Sequence, residues 1–284
     1  MALNGSNLVS TEWLARHLDD SDLFVLDASW YLPGEGRDAA AEHAAAHIPG
    51  ARFFDIDAIS DPATDLPHMA PPPELFASRM RALGAGDGQS VVVYDGAGLF
   101  SAARVWWLLR LMGIDRVAVL DGGLPKWRAE GRPVSDAVPP VRDRHLTPRL
   151  RPELVRDAHG VAAASASGSA QIVDARAPAR FRGEAAEPRP GLRAGHIPGS
   201  RNVFFKDLLN ADGTMKPISE LRAVFEAAGA DLTRPVITTC GSGVTAAVLS
   251  LALERIGVAD HSLYDGSWSE WGQRADLPIA TGVA

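Results

Sequence analysis

Cysteine is nearly absent from this sequence, which has a single cysteine, Cys240, among 284 residues. One cysteine cannot form an intramolecular disulfide and cannot build a cysteine-rich zinc site. It also leaves no second thiol in the chain to resolve an oxidised one. The thiol of Cys240 is therefore either a small buried side chain or a reactive group.

Long hydrophobic runs and positive charge are also scarce. No stretch approaches the roughly 18 consecutive apolar residues of a membrane helix, and the first residues lack the charged-then-apolar order of a secretory signal. There are 28 Lys and Arg residues against 35 Asp and Glu, a formal net charge of -7. A general nucleic-acid binder would be basic. We therefore expect a cytoplasmic protein that binds neither membranes nor nucleic acids.

What the sequence does contain is an internal repeat. HIPGA at 47–51 returns as HIPGS at 196–200, and each copy is followed by two phenylalanines. DGGLPKW at 121–127 is matched by DGSWSEW at 265–271. Repeats in the same order predict a duplicated domain. The length and the hydrophobic fraction of 46% suit two globular cores.

Each half alternates short β-branched runs with helix-like segments, which predicts an α/β fold with a parallel sheet flanked by helices. We expect strands at 23–26, 90–94, 116–120, 171–174, 235–239 and 261–264, and helices at 219–228 and 245–256. Residues 136–150 are rich in proline and charge and have little apolar periodicity. They predict a linker between an N-terminal domain, 1–135, and a C-terminal domain, 151–284.

Cys240 lies between a predicted strand and a predicted helix. Gly241 and Gly243 can adopt backbone angles closed to other residues, so successive amides can point inward around the sulfur. Such a nest, together with the positive end of the helix, favours a thiolate and would also stabilise a persulfide anion. In the first half, VVVYD at 91–95 aligns with VITTC at 236–240, so that Asp95 stands where the second half has its cysteine.

Two other interpretations of the cysteine loop remain open on these residues. Cys240 could be an inert core residue whose glycines only serve the turn. A phosphatase loop is the second alternative, but that chemistry needs an arginine six residues after the cysteine to hold phosphate, and the residue there is Ala246. Sulfur transfer needs no such arginine.

Together the motifs resemble the tandem rhodanese-like sulfurtransferases, over nearly the whole chain. The resemblance is carried by LDASWYLP at 26–33, HIPGARFFDID at 47–57, RVWW at 104–107, FRG at 181–183, GHIPG at 195–199, CGSGVT at 240–245 and YDGSW at 264–268. It implies two rhodanese-like domains, of which the C-terminal one is catalytic and the N-terminal one is a non-catalytic copy. Asp95 in place of cysteine agrees with this.

The resemblance also implies a reaction and its residues. Cys240 takes sulfur from a donor held by Arg180 and Arg189, while the loop residues Gly241, Gly243, Val244 and Thr245 surround the persulfide. The loop pair Gly241 and Ser242 is similar to the type whose donor is 3-mercaptopyruvate, since thiosulfate-preferring members carry basic residues there. Acceptors would be a thiol such as thioredoxin, or cyanide. No metal or organic cofactor is implied.

A proton relay of Ser242, His68 and Asp57 is implied as well, because pyruvate leaves as an enolate that must be protonated. The residues alone leave other roles open: His68 could be a surface residue, Asp57 could cap a helix, and both arginines could be solvated. A thiosulfate:cyanide sulfurtransferase and a sulfur-carrier module without turnover are the alternative functions.

Four further positions have simpler interpretations. His47 and His196 recur in both halves, so we expect them to hold loops rather than act in catalysis. Phe100 stands where related proteins often have tyrosine, which removes one hydroxyl. Among the tryptophans, only Trp30 with Tyr31 is a candidate for a cleft wall.

Overall fold

The computed structural model describes Leu3 and residues 5–283. The chain packs into two compact units. The first contains the chain up to Asp61, Ala70–Arg151 and the short segment Asn210–Met215; the second contains Pro62–Met69, Pro152–Leu209 and the chain from Lys216 onward. Each unit thus includes one short segment from the other half of the sequence.

The first unit is built on a five-stranded sheet in which all paired strands are parallel. The central strands are buried along most of their length because helices cover a parallel sheet on both faces. Its strands, in the order β1-β5-β4-β2-β3, are β1 (Leu8–Val9), β2 (Leu23–Asp27), β3 (Arg52–Phe53), β4 (Ser90–Tyr94) and β5 (Val117–Leu120). Its helices are α1 (Thr11–His17), α2 (Ala39–Ala45), α3 (Pro73–Ala82), α4 (Ala102–Leu111) and α5 (Gly123–Ala129).

The second unit repeats this topology, strand for strand. Its strands, in the order β6-β10-β9-β7-β8, are β6 (Val155–Arg156), β7 (Gln171–Asp174), β8 (Arg201–Asn202), β9 (Val236–Thr239) and β10 (His261–Tyr264). Its helices are α6 (Ala158–Ser167), α7 (Pro178–Phe181), α8 (Ile218–Ala227), α9 (Ala246–Arg255) and α10 (Ser267–Trp271), with single 3-10 turns at Pro152–Leu154 and Phe205–Leu208. The predicted fold class is confirmed: two α/β units, each a parallel sheet flanked by helices.

Register brings two loops of the second unit together. Asp174, the last residue of β7, is paired with Thr239, the last residue of β9. The chain after β7 and the chain after β9 therefore leave the sheet side by side at its carboxyl edge, where ligands bind in open parallel sheets. Thr239 is followed directly by Cys240.

Residues 136–150 contain neither helix nor strand, and they lie against the first unit. The N–H of Asp87 donates to the carbonyl of His145 at 2.8 Å, and Leu146 is buried. In the part of the chain that the structure describes, no helix has the length and apolar character needed to cross a membrane.

Candidate active site

Cys240 is the first residue after β9, and its thiol is free and buried, with 2% of the residue exposed. The α9 helix begins six residues later, at Ala246. The backbone of Cys240 is held at both of its polar groups. Its carbonyl accepts the N–H of Trp268 at 2.9 Å, and its N–H donates to Oγ of Ser267 at 3.2 Å.

Ser267 holds the cysteine from a strained position. Its φ is 48°, in the left-handed region that glycine usually occupies. The aligned residue of the first unit is in fact a glycine, Gly123, with φ 56°. The hydroxyl of Ser267 donates to the carbonyl of Tyr264 at 2.9 Å, which leaves its oxygen to accept from Cys240.

The next residue of the loop, Gly241, is held by Ser269 and lies close to Arg180. Its carbonyl accepts both the N–H and the hydroxyl of Ser269, at 2.8 and 2.7 Å. A Cβ at Gly241 would lie 3.1 Å from Nη2 of Arg180. The guanidinium of Arg180 therefore lies directly against the backbone beside the cysteine.

The aligned loop of the first unit directs three backbone N–H groups at one acidic side chain. Asp95 is fully buried there, and its carboxylate accepts the N–H groups of Ala97 at 2.9 Å, Phe100 at 2.7 Å and Ala102 at 2.8 Å. Burial raises the pKa of Asp95, against the lowering effect of these three bonds. In the cysteine loop the aligned amides are those of Ser242, Thr245 and Ala247.

A buried network of charges holds Arg180 in place. Nε and Nη2 of Arg180 both donate to Oε2 of Glu187, the former at 3.2 Å. The other oxygen of Glu187 accepts Nη1 of Arg176 at 2.7 Å. The Glu187 side chain is only 2% exposed, so this carboxylate is shared between two guanidinium groups out of contact with water.

Arg176 connects that carboxylate to the sheet. Its Nη2 donates to Asp174 at 2.7 Å and to the carbonyl of Gly195 at 2.8 Å, and its guanidinium lies 4.3 Å from the centre of the Trp268 ring. Burial by itself would lower the pKa of Arg176, but the carboxylates of Asp174 and Glu187 hold it above its usual range. The two carboxylates therefore favour the charged form of the Arg176 guanidinium.

His68 meets the cysteine loop from the short segment 62–69. Its Nδ1 lies 3.0 Å from Oγ of Ser242. Only 4% of His68 is exposed, which excludes the surface alternative, and its φ of 63° lies in the left-handed region. A histidine in this conformation is uncommon and is found where surrounding packing imposes it.

Asp57, the third member of the predicted relay, belongs to the first unit. Its carboxylate accepts Nε1 of Trp30 at 3.1 Å, and its N–H donates to the side chain of Asp55 at 3.0 Å. No helix begins at Asp57, since residues 56–59 form a turn, so the helix-cap alternative is wrong. Trp30 stacks on Phe100, with ring centres 6.1 Å apart.

Comparison with known proteins decides the family. The model of the rhodanese-like domain matches residues 10–130 and 157–274. The 3-mercaptopyruvate sulfurtransferase of Escherichia coli is 46% identical over 95% of this chain and 96% of its own length, and the thiosulfate/3-mercaptopyruvate sulfurtransferase 1 of Arabidopsis thaliana is 44% identical over 96% and 77%. The crystal structure of SseA from Escherichia coli, a 3-mercaptopyruvate sulfotransferase by its description, superposes with a TM-score of 0.86, at 42% identity over 93% of this chain and 99% of that one.

The chain belongs to the rhodanese-like family.

The second unit brings together most of the predicted site: Cys240, Ser242, His68 and Arg180 are all within it. Arg189 follows in the same loop as Glu187 and is partly exposed. Among the described residues, no group of three or more His, Cys, Asp or Glu side chains is arranged to hold a metal ion.

His47 and His196 have the structural role predicted for them. Both are buried, and Nδ1 of each lies within hydrogen-bond distance of a backbone carbonyl, that of His43 at 2.7 Å and that of Phe181 at 2.8 Å. The backbone of each also forms an isolated antiparallel bridge to a later residue, Ser135 and Ala280 respectively.

Three residues of the rhodanese site were not predicted: Ser267, Arg176 and Glu187. Alignment of the two halves carries a signal for Ser267, because a serine replaces Gly123 in a repeated motif. Glu187 is two residues before Arg189 in a charge-rich segment, but no spacing rule pairs it with Arg176 and Arg180.

Proposed function

We propose that this protein takes the sulfur of 3-mercaptopyruvate onto Cys240 as a persulfide, releases pyruvate, and passes the sulfur to a thiol or to cyanide. The protein is an enzyme, a sulfurtransferase, and its relatives carry that activity in their names. The observation that carries the proposal is the pair of aligned loops. In one loop the chain's only cysteine follows the strand directly, and in the aligned loop three N–H groups donate to the carboxyl group of Asp95.

The donor would be held through its carboxylate. Arg180 presents a guanidinium beside Gly241, and this planar group suits bidentate binding of a carboxylate. We propose Arg189 as the second cation for the carboxylate or keto oxygen. With the donor anchored there, its sulfur would lie within reach of the Cys240 thiolate.

The chemical step is a displacement at sulfur. The Cys240 thiolate attacks the donor sulfur, an S–S bond forms, and the C–S bond breaks with its electron pair left on the departing carbon. The product is the enolate of pyruvate, which takes a proton to become pyruvate. Ser242, within hydrogen-bond distance of buried His68, is our candidate for delivering that proton, with Asp57 as a further member of the relay.

The persulfide left on Cys240 is an anion like the carboxylate of Asp95. The amides from Gly241 to Thr245, including those of Gly243 and Val244, are the groups proposed to stabilise it. An acceptor thiolate then attacks the outer sulfur and regenerates Cys240. Thioredoxin as that acceptor, and the cytoplasm as the location, stay predictions.

The domain roles follow the same proposal. Residues 151–284 would form the catalytic domain, 1–135 a copy that lost its cysteine, and 136–150 the connection between them.

A thiosulfate sulfurtransferase is the second candidate, and a specific observation favours it. The name of the Arabidopsis relative gives both donors, at 44% identity. The reaction would use the same Cys240 persulfide with sulfite as the leaving group. Steady-state turnover with each donor and cyanide separates the two, and faster turnover with thiosulfate would reverse our assignment.

Intact-protein mass spectrometry after treatment with 3-mercaptopyruvate tests the persulfide itself. One cysteine leaves one site, so we expect a gain of about 32 Da that dithiothreitol removes. The Cys240→Ser variant should gain nothing. A reducible gain in that variant, or none in the wild type with either donor, would contradict the proposal; the latter would favour a binding module without turnover.

A further inference from the structure

Four charged side chains of the second unit form a buried row that ends at the cysteine loop. The row runs from Asp174 through Arg176 and Glu187 to Arg180, with side-chain exposures of 1%, 1%, 2% and 22%. Its two carboxylates and two guanidinium groups cancel in formal charge. Only Arg180, at the end of the row, is open enough to meet a ligand.

The positive charge that Arg180 presents to a donor is therefore partly neutralised by Glu187. Two of its nitrogens donate to the same oxygen of Glu187, and its Nη2 is the atom nearest to a Cβ built on Gly241. Glu187 itself is shielded from water, so its negative charge is screened less than that of a surface carboxylate. The electric potential at the donor's position therefore depends on Glu187 as well as on Arg180.

We propose that Glu187 is a specificity-determining residue: its charge lowers the positive potential beside Arg180 and so favours a monoanionic mercapto acid over a dianionic sulfur donor such as thiosulfate. The inference rests on the proposed function. Since the Coulomb energy scales with the charge of the ligand, the potential acts about twice as strongly on a dianion as on a monoanion. Gly241 adds no positive charge next to Cys240, so it likewise leaves the potential at the donor's position less positive than a basic residue there would.

The test compares the ratio of kcat/KM for thiosulfate to kcat/KM for 3-mercaptopyruvate in four proteins: wild type, Glu187→Gln, Glu187→Asp and Glu184→Gln. Glu187→Gln keeps the size of the side chain and removes its charge. We expect the ratio to rise on the order of tenfold, the effect of one unit charge at close range in a partly shielded site. Glu184 is the matched control because it pairs with Arg182 in the same segment but is 56% exposed, and its variant should leave the ratio unchanged.

A purely structural role for Glu187 has a different signature. If the carboxylate only held Arg180 in position, Glu187→Gln would weaken both donors together and the ratio would stay constant, which would overturn the inference. Glu187→Asp keeps the negative charge but moves it away from Arg180, because the side chain is one methylene shorter. KM for 3-mercaptopyruvate should therefore rise, while the ratio of the two kcat/KM values should stay near that of the wild type. A rise in the ratio for Glu187→Asp equal to that expected for Glu187→Gln would also overturn it, even if Glu187→Gln fails to fold.

The wild-type measurement separates this inference from the proposed function. If the wild type does not turn over 3-mercaptopyruvate, the proposed function fails and the inference fails with it. If the wild type is active with 3-mercaptopyruvate and the ratio in Glu187→Gln does not rise, only the role of Glu187 is refuted.

Discussion

At Ser267 we expect the glycine variant to be more stable than the alanine variant, the reverse of their usual order in regular structure. The hydroxyl of Ser267 accepts the N–H of Cys240 and, at 3.4 Å, the hydroxyl of Thr239, and it donates to the carbonyl of Tyr264; the residue is fully buried. Ser267→Ala leaves that N–H unsatisfied, at about 1–3 kcal/mol, and loses a second hydrogen bond of about 1 kcal/mol. We therefore expect the free energy of unfolding to fall by about 2–4 kcal/mol.

Ser267→Gly loses the same hydrogen bonds as Ser267→Ala but removes the strain of a φ of 48°. That strain is worth about 1–2 kcal/mol, and the extra freedom of glycine in the unfolded chain takes back about 0.5–1 kcal/mol. At the midpoints of these two ranges the glycine variant should be the more stable of the two by about 0.75 kcal/mol, although glycine is normally the less stable choice in regular structure.

Urea unfolding of the wild type and both variants, at equal m-values, measures these differences. Ser269→Ala is the matched control: it removes a hydroxyl that donates to the Gly241 carbonyl, but that carbonyl keeps the Ser269 N–H, so the loss should be smaller. An alanine variant as stable as the glycine variant would refute the strain argument. A loss below about 1 kcal/mol in both would refute the anchoring of Cys240 by Ser267.

Two further predictions follow from contacts already described. Gly241→Ala places a methyl group 3.1 Å from Nη2 of Arg180, so we expect KM for 3-mercaptopyruvate to rise about three- to tenfold in steady-state assays, and an unchanged KM would contradict the contact. Asp95→Asn tests a pH dependence: because the pKa of Asp95 is raised, the folded protein binds its proton more tightly than the unfolded chain does, and stability is lost as pH rises from about 4 through the folded-state pKa. The stability of Asp95→Asn relative to wild type should therefore increase with pH over that interval in urea unfolding, and a constant difference would contradict the shift.

The sequence predicted the long central strands well and missed the edges of both sheets. The segments predicted at 90–94, 171–174 and 261–264 coincide with β4, β7 and β10, because four or five strand-forming residues in a row are enough to be recognised. The four edge strands β1, β3, β6 and β8 are two residues long. Two residues contain no periodicity, so such strands exist only through their pairing and cannot be recognised from the chain itself.

The site divides in the same way. Cys240 and its glycines could be predicted because the signal lies in neighbouring residues: an apolar strand-like run, then the cysteine and glycines, then a helix-like run. The position of His68 could not, because the segment 62–69 packs with the second unit although it precedes that unit by some eighty residues of chain. The pairing of Glu187 with two arginines is likewise set by folding, and the strain at Ser267 is visible only in its φ.

The two halves differ at the residues that the proposed transfer requires. In the second, the carboxylate at the end of β7, Asp174, binds the guanidinium of Arg176 and thereby fixes the charges that reach the cysteine loop. In the first, the corresponding carboxylate of Asp27 binds Ser29, which is aligned with Arg176, together with Tyr94 and His43. The cysteine and the guanidinium that binds Glu187 are therefore found in the same half of the chain. An Asp95→Cys substitution alone would place a nucleophile among the loop amides of the first half. That half would still lack the network of charges by which, in our proposal, the second half holds a donor beside Cys240.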